Sequence, residues 1–97
     1  MKYFGMDEAG NINIGLQLES TEWRMKHAKT VAQQVDAAEK FILSYKNMMG
    51  TPRFPEADSE ITRNCVFTEL ERILIRSGGF SEHRAYEILD HLWEKYL

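Results

Sequence analysis

The sequence predicts an α+β domain: an N-terminal antiparallel β-hairpin or three-stranded meander, followed by three α-helices. Three observations predict it. Ile12, Ile14, Leu16 and Leu18 alternate with Asn13, Gly15 and Gln17, the period of a strand with one buried face. Apolar residues between Ala28 and Met49 fall at helical spacing. Two further helical stripes follow, each preceded by a serine and separated from one another by Gly78-Gly79.

The elements follow in order. Residues 2–6, with Tyr3 and Phe4, favour extended structure and supply the partner strand. Gly10 and Asn11 tolerate positive φ and supply the turn, and Gly15 reads as a bulge or a close approach. The start of the first helix is open between two readings. Ser20 or Thr21 caps a helix beginning near Glu22, or Trp23 and Met25 lie on one face of a third strand and the helix begins near Lys29. The third strand is preferred, because a helix of nearly thirty residues is long for a globular domain. Val31, Val35, Ala38, Phe41, Ile42 and Tyr45 belong to its apolar face, and Gly50 and Pro52 end it. A loop carrying Phe54 follows. Asp58 or Ser59 caps the second helix, with Ile61, Cys65, Val66, Leu70, Ile73 and Leu74 as its stripe. Gly78-Gly79 closes it with a left-handed turn, and Ser81 caps the third helix, whose stripe is Ala85, Leu89, Leu92 and Tyr96.

Length bounds the organisation. Ninety-seven residues make one domain spanning 1–97, and a chain of this size has little to spare for a substrate cleft. The apolar share of 43% and charged share of 28% are those of a globular chain. One cysteine excludes an internal disulfide framework and suits a reducing compartment. The first eight residues hold no apolar core of a secretory signal, and no apolar run is long enough to span a bilayer. A cytoplasmic location is expected, without a membrane partner.

Charge is unevenly placed. Residues 1–49 carry six basic and six acidic groups; residues 50–97 carry six basic and nine acidic groups, which accounts for the net −3. Asp58, Glu60, Glu69, Glu82, Glu87, Asp90 and Glu94 are therefore the candidate partner-binding residues, offered to a basic protein surface. Arg63, Arg72, Arg76 and Arg84 interrupt them.

Chemistry-bearing patterns are few. No Cys-x-x-Cys pair is present, so a zinc site of the finger kind is excluded. His83, Glu87 and His91 share a helix face, but the two histidines stand about 12 Å apart along the axis, too far to hold one ion. Cys65, on the apolar stripe, reads as a small buried hydrophobe. No nucleophile elbow, phosphate loop or zinc-protease motif appears. No catalytic residue, metal or cofactor is assigned, and the chain is read as non-enzymatic.

The leading expectation is an inhibitor or adaptor that binds a larger complex through a partly acidic helical surface. The alternative is a small DNA-binding regulator using the C-terminal helix pair, supported by the basic run Arg24, Lys26, His27 and Lys29 beside Trp23. Direct nucleic-acid binding is disfavoured by the acids of the would-be recognition helix. A homodimer through Trp93, Tyr96 and Leu97 is weighed against these residues forming a buried end of the core.

In size, single α+β domain, mild acidity and lack of catalytic residues, the chain resembles the small proteins encoded by phages and mobile elements. That class includes the anti-CRISPR inhibitors of type I-F surveillance complexes. The resemblance implies a DNA-mimicking inhibitor, in the host-cell cytoplasm, that docks on a nucleoprotein complex and blocks DNA from its basic groove. It assigns no residue a role.

Overall fold

A computed structural model describes residues 14–49 and 59–97. Four helices account for nearly all of them: α1 (Ile14–His27), α2 (Val31–Met49), α3 (Glu60–Arg76) and α4 (Glu82–Tyr96). There is no strand among the described residues, so the α+β expectation is corrected to an all-helical bundle.

The correction has a definite cause in α1. Ile14 and Leu18 are both buried while Leu16 is exposed. A strand puts all three on one face; a helix puts positions four apart together and the position between them opposite. Thr21 and Met25 complete the buried face at 14, 18, 21 and 25. The alternation and the helical repeat share positions 14 and 18, and the second pattern governs. Trp23–Met25 is likewise helical, with Met25 in the core and Trp23 in solvent, so no third strand forms. Gly15 is a buried residue in the first turn of α1 rather than a bulge. Ile12, the partner strand at residues 2–6, the turn at Gly10 and Asn11, and the loop carrying Phe54 lie outside the described residues.

Of the two proposed starts of the first long helix, the one near Glu22 does not form; the one near Lys29 lies within two residues of the observed start at Val31, but a helix rather than a strand precedes it. The chain breaks at Ala28-Lys29-Thr30 and begins again. At the end of α1 the His27 ring places Nδ1 2.8 Å from the Trp23 carbonyl oxygen. Thr30 then caps α2: its Oγ1 accepts from the Gln33 backbone N–H at 3.1 Å. Gln33 reaches back, its Oε1 accepting from the Lys29 N–H at 2.7 Å. This reciprocal arrangement is close to a capping box, and its signature, Thr30-x-x-Gln33 before an apolar run, is present in the sequence.

The later boundaries fall where the caps place them. Ser59 Oγ accepts from the Thr62 N–H at 3.1 Å, and Ser81 Oγ accepts from the Arg84 N–H at 3.2 Å. Glu60 and Glu82 occupy the first turns, complementing the helix dipole. Gly79 has φ of 77°, the left-handed region that glycine enters without penalty. Gly78 serves a different purpose. A Cβ there would stand 2.7 Å from the Leu74 carbonyl oxygen and 3.0 Å from the sulfur of Met25. The Gly78 carbonyl also accepts from Gln34 Nε2 at 3.0 Å. The α3–α4 turn is thus pinned to both α1 and α2.

The helices close a ring in the order α1, α2, α4, α3, with α1 and α4 on a diagonal. Its centre holds Leu18 and Met25, Phe41, Ile42 and Tyr45, Leu70, Ile73 and Leu74, and Leu89 and Leu92. Thr21 is the buried polar residue among those described, and its hydroxyl donates to the Gln17 carbonyl at 2.8 Å. Trp93 packs at one end, its ring 6.0 Å from Tyr45 and 5.3 Å from Phe67. Tyr96 donates its hydroxyl to Glu39 at 2.8 Å. Trp93, Tyr96 and Leu97 therefore pack against the core.

Two members of the α3 stripe are misplaced by the sequence reading. Ile61 is 77% exposed, and Cys65 is exposed rather than a small buried hydrophobe. At about 100° per residue, Cys65 lies a quarter-turn and more from Val66, and Ile61 further still, so both leave the face that Val66, Leu70, Ile73 and Leu74 share.

Candidate interaction surface

The proposed acidic residues do not form one surface. Asp58 lies outside the described residues. Glu60 is exposed at the start of α3, and Glu69 sits further along the same helix, its carboxylate 3.4 Å from the Arg72 guanidinium. Glu82 borders a shallow groove of about 250 Å³ with Glu71, Arg72 and Arg76 of α3, apart from the outward face of α4.

The other three come together. Ala85, Ile88, Leu89 and Leu92 fix the inward face of α4. Glu87 and Glu94, seven residues apart, point the opposite way, with Asp90 beside them. Glu87 is 3.5 Å from His83 and 3.9 Å from Arg84. Asp90 and Glu94 have no ion pair among the described residues. Glu94 stands in the last turn, where the negative end of the helix dipole disfavours a carboxylate. The C-terminal half of this face therefore carries two carboxylates without an ion pair among the described residues.

A second feature lies across the molecule. Trp23 is 63% exposed and stacks on His27, with ring centroids 4.2 Å apart and planes 22° from parallel. Beside the pair a groove of about 340 Å³ opens between α1 and α2, bordered by Arg24, Gln33, Asp36 and Lys40. Lys40 is engaged with Asp36 at 3.1 Å. The basic run was legible in the sequence. The outward aim of Trp23 was not, because it depends on whether residues 22–27 are strand or helix.

The α3–α4 pair is joined by a short turn, but the outward side of α4 presents Glu87, Asp90 and Glu94, which repel phosphates. Among the described residues, no helix is long and apolar enough to cross a membrane, and no three metal-ligating side chains converge. No protein-family model, curated protein or solved structure matches the chain. The all-helical fold withdraws the single α+β domain from the expected resemblance to phage-encoded inhibitors.

Proposed function

We propose that this chain is a non-enzymatic interaction protein that docks the outward face of α4 on a basic surface of a larger complex. The observation that carries this reading is that Asp90 and Glu94, without an ion pair among the described residues, are continued by Glu87 on the same face of a helix whose opposite face is used by the core. A partner presenting spaced Lys and Arg relieves that charge, steers the encounter and gains specificity from the fixed spacing of the carboxylates. Complexes that handle nucleic acids present such surfaces, and a protein seated there blocks access to the phosphate backbone. An inhibitor of a nucleic-acid-handling complex, a CRISPR surveillance complex among them, is the functional class this reading favours.

The test uses the full chain immobilised against nuclease-treated bacterial lysate, with retained proteins identified at low and high salt. A basic partner should be retained at low salt, released by high salt and lost with Asp90→Lys/Glu94→Lys, while Glu60→Lys leaves retention unchanged. Retention that ignores the α4 reversal contradicts the reading. Salt-sensitive binding of the purified protein to duplex DNA, measured by fluorescence anisotropy, transfers the assignment to a DNA-binding regulator.

A further inference from the structure

We infer that the outward face of α1 is a self-association surface on which two copies pair antiparallel about a two-fold axis. The face is defined by positions 16, 20, 23 and 27, directly opposite the buried set 14, 18, 21 and 25. Its two apolar members, Leu16 and Trp23, are 47% and 63% exposed and lie seven residues apart. A repeat of four, three and four residues is the spacing of an antiparallel or parallel helix-pair seam, and here it carries two exposed apolar side chains one heptad apart.

The same spacing selects the partner. The steps between 16, 20, 23 and 27 read identically in both directions, so a two-fold axis between positions 21 and 22 maps the seam onto itself. Leu16 then packs on the Trp23–His27 stack of the second copy, and the large Trp23 meets the small Ser20. Parallel pairing instead opposes Trp23 with Trp23 and crowds the basic ends, Arg24, Lys26 and His27, against their own copies.

Charge makes the same choice. Glu19 and Lys26, seven residues apart, flank the seam on one side. Antiparallel pairing brings Glu19 of each copy beside Lys26 of the other, giving two symmetric ion pairs, the self-complementarity of an isologous contact. The helix dipoles also oppose. A seam of about 16 Å on a 14-residue helix is smaller than a standard stable interface, so the association is weak and concentration-dependent. Because α4 lies diagonally across the bundle from α1, each dimer keeps two α4 faces free, so the surface works whether or not α4 has a partner.

Sedimentation equilibrium of the full chain over a wide concentration range provides the test. Reversible dimers should form. Trp23→Ala should weaken them by at least about tenfold, as expected for a central aromatic anchor. Glu19→Lys and Lys26→Glu should each weaken the dimer several-fold, and the double exchange Glu19→Lys/Lys26→Glu should restore it, which a parallel pair does not allow. Circular dichroism melts that match the wild type show that each variant is folded. A monomer at every concentration overturns the inference, as does a dimer unmoved by Trp23→Ala or an exchange that does not restore association.

Discussion

The helices α1 and α4 stand diagonally across one core and spend their outward faces differently. Inside, both place large aliphatic side chains in the same cluster. Outside, α4 offers Glu87, Asp90 and Glu94, whereas α1 offers Leu16 and Trp23 with a basic C-terminal end. The inward faces explain why the chain folds. The outward faces are where the sequence departs from what folding alone requires, one by leaving carboxylates without an ion pair and the other by leaving an aromatic ring exposed. Each departure points to a different contact, with a basic surface on α4 and a second copy on α1.

The largest effect that would break this comparison lies within α1 itself. Leu18→Ala should destabilise the protein by about 2–5 kcal/mol, the cost of emptying a fully buried aliphatic site, while Leu16→Ala should stay within about 0.5 kcal/mol. Urea denaturation of the two variants measures both; equal costs would restore the strand, in which the two side chains share a face.

Next in size is the turn that ties α4 to the α1 side of the bundle. Gly78→Ala drives a Cβ against the Leu74 carbonyl and the Met25 sulfur and should cost about 1–3 kcal/mol. Gly79→Ala meets no atom but must hold a left-handed backbone, and should cost about 1 kcal/mol. A reversed order, read by thermal denaturation, would mean that the turn is not packed on Met25.

The caps come third. Thr30→Ala should cost about 1 kcal/mol, similar to Ser81→Ala, because each removes an acceptor from an otherwise orphaned helix N–H. A Thr30→Ala variant with unchanged stability would argue that α1 and α2 are one continuous helix.

The smallest change sharpens the contrast between the outward faces. Glu94→Lys places a cation at the C-terminal end of α4 and should stabilise the isolated protein slightly, by at most about 0.5 kcal/mol, while weakening partner binding. Stability and binding moving in opposite directions is the mark of a residue kept for contact rather than for folding.

The second half of the fold was legible because its signals are local. Ser59 and Ser81 sit immediately before acidic first turns, and Gly79 supplies a backbone angle that other residues avoid. The first half was misread because Ile12, Ile14, Leu16 and Leu18 satisfy a strand over seven residues, whereas the helical repeat shows only when Thr21 and Met25 are added. Thr21 hides the repeat further, being a polar residue that is buried by bonding its own helix. Thr30-x-x-Gln33 was a readable helix start that the alternation overshadowed. At the candidate site, the common face of Glu87, Asp90 and Glu94 followed from spacing on one helix. The separation of Glu69 and Glu82 from that face did not, since it depends on how α3 and α4 meet and on the arginines of α3.

The most direct test of the account is amide and indole chemical-shift mapping of the labelled protein with its captured partner, at a protein concentration low enough to keep it monomeric. The account predicts salt-sensitive shifts concentrated at His83, Glu87, Asp90, His91 and Glu94, with the Trp23 indole unmoved. Shifts centred on Trp23, Arg24 and His27, with α4 silent, would contradict it and make α1 the partner-binding face.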